Sequence, residues 1–134
     1  MIEVLEPKWI ACFEDFLRLS GVAEGDLIGV LAESQSRPVL VDLAEHALHR
    51  IGARAVRVTV PSPTLRDPLP VRSTGATYAP DCYPEIMRAL GVCSLVVDCT
   101  VEGLLHSKSR QELLGAGGRV LMISNEHPEV LERC

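Results

Sequence analysis

Leu27-Ile-Gly-Val-Leu-Ala32, the turn Glu33-Ser-Gln-Ser-Arg37, and Pro38-Val-Leu-Val-Asp-Leu-Ala-Glu-His-Ala-Leu-His-Arg-Ile51 form the stretch that decides the fold. The first six residues are a short apolar run, as expected of a strand buried on both faces of a parallel sheet. The last fourteen have a different period. At 100° per residue, Val39, Leu40, Leu43, Ala44, Ala47 and Ile51 cover one half of a helical wheel, and Asp42, Glu45, His46 and His49 occupy the other. Ser36 is expected to cap this helix, Pro38 suits its first turn, and Gly52 stands where it should stop.

The same strand and helix alternation continues in both directions. Ala55–Val60, Ser94–Asp98 and Arg119–Ile123 are further short strands rich in β-branched residues, again expected to be buried on both faces. Helical patterns run from Lys8 to Ser20, Tyr83 to Leu90 and Ser109 to Leu114, and another begins at Pro128. Residues 1–134 therefore read as a single α/β domain, a Rossmann- or flavodoxin-like layered fold with a mostly parallel sheet of about four strands and flanking helices. Pro61 to Pro84 breaks the pattern: it holds six of the nine prolines and reads as a long loop. Pro128 to Cys134 gives fewer than two helical turns and no C-cap, so the expectation is a fraying helix or one piece of a longer chain.

Composition narrows the function. Thirteen Lys and Arg against 18 Asp and Glu give a net charge of −5, and the eleven arginines are scattered without forming a basic stripe. With only Trp9, Phe13, Phe16, Tyr78 and Tyr83 as aromatics, neither a phosphate-tracking surface nor a base-stacking platform is suggested. No apolar run is long enough to span a bilayer and the first residues are acidic, so a cytoplasmic protein is expected. Five cysteines without CxxC spacing argue against a disulfide framework or structural zinc site; Cys93 and Cys99 are expected to pack as small hydrophobes.

Two segments compete as sites. Asp42, Glu45, His46 and His49 have metal-like spacing, but their helical phase assigns them to a solvated face. The turn after the first strand lacks the glycines of a phosphate-binding loop, and Gly115-Ala-Gly-Gly118 precedes a strand, at the wrong edge for a ligand. The other segment is Asp98-Cys-Thr-Val-Glu-Gly-Leu-Leu-His-Ser107, which leaves the third strand at its carboxyl end, where α/β folds bind ligands. It carries Asp98, Glu102, His106 and Ser107, with Leu104 and Leu105 as an apolar pair in need of a cover. Two readings stay open: a surface loop whose Ser107 caps the next helix, or a binding loop.

Three segments together resemble a known family. Phe13-Glu-Asp-Phe-Leu-Arg-Leu-Ser-Gly-Val22 with the strand after it, Leu95-Val-Val-Asp98 with Leu104-Leu-His-Ser107, and Arg119-Val-Leu through His-Pro-Glu-Val-Leu131 are similar to the N-terminal part of 2,5-dihydroxypyridine 5,6-dioxygenase, an iron enzyme of nicotinate and nicotine breakdown. A more distant similarity is to the N-terminal domain of thermophilic-type metallo-aminopeptidases (the aminopeptidase T family). The resemblance implies an α/β domain whose missing C-terminal catalytic domain binds Fe(II), with no metal ligand in this chain and no activity from it alone. It also implies a homo-oligomer in which the Leu-Leu-His loop reaches a neighbouring subunit's pocket. There Leu105, beside Leu104, would pack on the pyridine ring of a small aromatic substrate, and His106 would hydrogen-bond the substrate or the opened product. His127 stands where the family tends to have proline and is read as a helix-start residue. Two rivals follow: the N-terminal domain of a metallo-aminopeptidase, and a stand-alone Rossmann-like binding or oligomerisation module.

Overall fold

The computed structural model describes residues 6–61, 83–100 and 119–123. Among these the chain runs α1 (Pro7–Leu19), β1 (Leu27–Glu33), α2 (Pro38–Ile51), β2 (Arg54–Val60), α3 (Pro84–Leu90), β3 (Leu95–Asp98) and β4 (Val120–Met122). Each element falls within a residue or two of the span its sequence pattern predicts. The helices expected at 109–114 and from Pro128, the Gly115–Gly118 turn and most of the Pro61–Pro84 loop lie outside the described residues.

All four strands are parallel, in the order β2-β1-β3-β4. The chain steps from β1 to β2 in one direction and then returns past β1 to β3. With right-handed crossovers, that reversal puts the two connecting helices on opposite faces of the sheet. The packing agrees. Trp9, Phe13 and Leu17 of α1 and the apolar side of α2 cover Ile28, Val30 and Ala32 of β1 and Leu95, Val97 and Cys99 of the β3 segment. On the other face, Met87 and Leu90 of α3 pack with Leu31, Cys93 and Val96. Gly29 lies on this second face. A Cβ there would meet Leu90 Cδ2 at 3.0 Å, so the absence of a side chain lets α3 sit close to β1.

Three expectations need correction, the first of them that β4 is buried on both faces: Val120 and Leu121 are half-buried and Met122 is exposed, as at a sheet edge. β2 is not buried on both faces: Arg54 to Arg57 and Thr59 are exposed, and only Val60 is fully buried. It has β1 as its one neighbour in the described sheet, so its alternating Val and Arg residues mark a half-covered strand at a sheet edge. Ser36 is not the cap of α2. Arg37 occupies the N-cap position with no side-chain cap hydrogen bond, Pro38 opens the helix, and Ser36 is bonded elsewhere. Gly52 behaves as expected, ending α2 in the left-handed conformation at φ 87°.

Candidate functional site

A sheet of order 2-1-3-4 has its topological switch between β1 and β3, the two strands from which the chain departs in opposite directions. Ligands of open α/β sheets bind beyond the carboxyl ends of such a strand pair. Here that edge is formed by the turn after β1, residues 34–37, and by Cys99 and Thr100 after β3.

Ser36 and Thr100 at this edge, with Asp98 at the end of β3, are buried and hydrogen-bonded. The Ser36 hydroxyl donates to the Cys99 carbonyl at 2.6 Å and accepts from the Glu33 amide at 3.0 Å, joining two segments 63 residues apart. Asp98 accepts at one carboxylate oxygen from the Thr100 amide at 3.0 Å and the Thr100 hydroxyl at 2.5 Å. Asp98, Cys99 and Thr100 each have 0% exposure. The strand ladder extends to the same place: the Cys99 amide donates to the Leu31 carbonyl at 2.8 Å, and the Ile123 amide to the Asp98 carbonyl at 3.0 Å. Burial pushes the Cys99 thiol up to about 12, helped by Asp98, and burial likewise raises Cys93. Both are free thiols packed as apolar groups, as expected, and neither is poised as a nucleophile.

The outer face of α2 is different. Asp42 and Glu45 are half-buried, His46 and His49 are exposed, and an open groove of about 400 Å³ runs along them beside Ala53 and Ala55. Arg57 of β2 reaches across to both acids, donating from Nε to Glu45 and from a terminal nitrogen to Asp42 at 2.9 Å. These bonds, the one to Glu45 foremost, raise the Arg57 pKa further above its already high value. The two carboxylates are thus occupied by a guanidinium. Among the described residues no group of three or more His, Cys, Asp or Glu could hold a metal ion, so these residues do not fit an iron site. No helix among them is long and apolar enough to cross a membrane.

Of the site residues expected from sequence, Asp98 is placed at the β1/β3 edge. Leu104, Leu105 and His106, with Glu102, Ser107 and His127, lie outside the described residues. Sequence reading missed Ser36 as a cross-link, Thr100 as the partner of Asp98, and Arg57 as the cation facing Asp42 and Glu45. The Asp-x-Thr spacing was a usable signal, because Asp side chains commonly accept from the backbone two residues on. No local pattern could have paired Ser36 with Cys99.

Comparison with known proteins gives three results. The sequence model of the 2,5-dihydroxypyridine 5,6-dioxygenase family matches residues 8–134. A curated 2,5-dihydroxypyridine 5,6-dioxygenase from Pseudomonas putida is 34% identical over 125 residues, covering 90% of this chain and 34% of its own. The solved structure of 2,5-dihydroxypyridine dioxygenase from P. putida KT2440 superposes with a TM-score of 0.81 at 32% identity, over 98% of this chain and 38% of that one. The chain therefore spans about a third of the length of the curated relative it matches. Klebsiella oxytoca NpsA in complex with 3-hydroxyanthranilyl-AMSN is also similar, at 15% identity and a TM-score of 0.52 over 94% of this chain and 19% of that one, a likeness of fold alone.

Proposed function

The chain belongs to the 2,5-dihydroxypyridine 5,6-dioxygenase family, and from that premise we propose that it is the N-terminal domain of an enzyme that opens a dihydroxypyridine ring. In this reading the reaction inserts both atoms of O₂ across the 5,6 bond. Fe(II) is held by a C-terminal catalytic domain outside this chain, and the chain alone is inactive. Its own contribution is the segment after β3. Leu105, flanked by Leu104, packs against the pyridine ring, and His106 hydrogen-bonds substrate or ring-opened product, in the pocket of a neighbouring subunit of a homo-oligomer.

The observation that supports this role is the placement of the β3 exit. Thr100 sits at the switch-point edge, and four residues of chain can carry Leu104 no more than about 14 Å from it. The Leu-Leu-His stretch follows in sequence from the edge where this class of sheet takes its ligands. Its apolar pair suits an aromatic ring, and its imidazole suits a ring hydroxyl or a new carboxylate.

The test is turnover by the intact protein carrying this domain. It should consume one O₂ for each 2,5-dihydroxypyridine lost and show no peptide hydrolysis. Replacing His106 with Ala should slow ring opening while iron content stays unchanged. Peptide hydrolysis without ring opening would reject the reading, and normal turnover by the His106→Ala protein would remove that residue from the pocket.

A further inference from the structure

Strand β2 presents one side to β1 and the other outward. At its two ends the Arg54 amide donates to the Asp26 carbonyl at 2.7 Å, and the Val60 carbonyl accepts from the Ser34 amide at 3.0 Å. A parallel strand uses alternate residues for each neighbour, so Arg54, Val56, Val58 and Val60 bond toward β1, and the amides and carbonyls of Ala55, Arg57 and Thr59 point outward. Among the described residues no strand takes these groups, and Ala55, Val56, Arg57 and Thr59 are exposed. Charged side chains commonly guard such an edge. Here both arginines are drawn inward: Arg57 lies on Asp42 and Glu45, and Arg54 Nε donates to the Gly25 carbonyl at 3.1 Å. The edge is left to Ala55, Val56, Val58 and Thr59, with Val56 44% exposed. Pro61, which has no amide hydrogen, ends the run.

We propose that the outer edge of β2 pairs with β2 of a second copy of this chain, antiparallel, about a two-fold axis at Arg57. The strand is self-complementary in that register. Ala55 falls opposite Thr59 and Arg57 opposite Arg57, so each outward amide and carbonyl of one copy meets one of the other. Between these pairs Val56 falls opposite Val58 at the closer spacing, on the sheet face that holds Leu31. The charges also suit a copy of the same chain. Two guanidiniums at the axis repel, but each copy brings Asp42 and Glu45 to its own Arg57, and so presents an excess of negative charge to the other's cation. Such a contact joins the two described sheets into one and closes after two copies. It uses none of the residues assigned to ring opening, so it stands or falls separately from that reading.

The test uses the intact protein, with its mass measured by sedimentation and amide exchange read residue by residue. In the parent assembly the Ala55, Arg57 and Thr59 amides should exchange at least about 100-fold more slowly than free amides, as those of Val56 and Val58 do. Thr59→Pro removes an outward hydrogen and blocks the edge while sparing the bonds to β1. It should at least halve the mass of the assembly and return Ala55 and Arg57 to rapid exchange, with Val56 and Val58 still protected. Val56→Lys, which sets a charge on the edge, should do the same and replaces Thr59→Pro should that variant fail to fold. A monomeric parent overturns the proposal, even with Ala55 and Arg57 protected, since their partner would then come from within the chain. Rapid exchange at Ala55 and Arg57 in an assembled parent overturns it as well. An unchanged mass in a folded Thr59→Pro or Val56→Lys protein puts the subunit contact elsewhere and also overturns it.

Discussion

The outer face of α2 and the carboxyl edge of β1 and β3 each gather polar side chains, and they differ in what surrounds them. On α2, two acids and two histidines repeat at helical spacing in a solvent-open groove, with a guanidinium from β2 already on both carboxylates. At the sheet edge, Ser36, Asp98 and Thr100 are buried, Asp98 and Thr100 are bonded to each other, and Ser36 is bonded to the Cys99 carbonyl across 63 residues of sequence. Periodicity makes the first group conspicuous, because a surface helix must place its polar residues together. Topology makes the second group matter, because the sheet order brings β1 beside β3 and their loops to the same edge.

If this contrast is right, equal changes to the two clusters should have unequal effects. The largest belongs to Asp98. Replacing it with Ala deprives the Thr100 amide and hydroxyl of their acceptor inside the core and should lower unfolding free energy by about 3 kcal/mol, measured by denaturant titration. A loss under ~1 kcal/mol would mean that water enters this edge, and the contrast in burial would fail.

The next effect is alkaline. The unfolded chain ionises Cys99 near its ordinary value of 9.0, whereas the folded thiol holds its proton up to about 12. A pKa raised by folding contributes stability that is lost as pH rises. Between those values each pH unit should therefore remove up to ~1.4 kcal/mol, with Cys93 acting in the same direction. Cys99→Ala should flatten that decline in a pH series of melting curves. An unchanged slope would show that the edge is not dry.

Smaller again is the α2 network. Asp42→Asn with Glu45→Gln should cost no more than ~1 kcal/mol, less in high salt, since Arg57 and both acids remain in contact with solvent. A loss as large as that of Asp98→Ala would put the two clusters on equal footing. Smallest is His46→Ala with His49→Ala, expected within ~0.5 kcal/mol of the parent and without effect on the iron content of the intact protein. Lost iron in that variant would reopen the helical face as a metal site.

The sequence made the layered fold legible because β1, β3 and α2 carry their burial in local patterns: a continuous apolar run where both faces are covered, and a split wheel where one is. β2 was legible as a strand but not as an edge, since Ala55-Val-Arg-Val-Thr-Val60 alternates in a way that depends on which neighbours cover it. Phase alone also demoted the His46 and His49 pair, correctly placing them in solvent. The sheet-edge cluster was only half visible. Asp98 stood out by its position after a strand, while Ser36 looked like a helix cap, because serine before Arg-Pro is a common start and the competing acceptor, the Cys99 carbonyl, is set by tertiary structure.

On the proposed reading this domain meets its ligand at the β3 exit and not along α2. The most direct measurement is amide exchange across the intact protein with and without saturating 2,5-dihydroxypyridine under anaerobic conditions. Added protection is expected in peptides covering residues 98–107, with no change in those covering 38–53. Protection over 38–53 with none over 98–107 would contradict it.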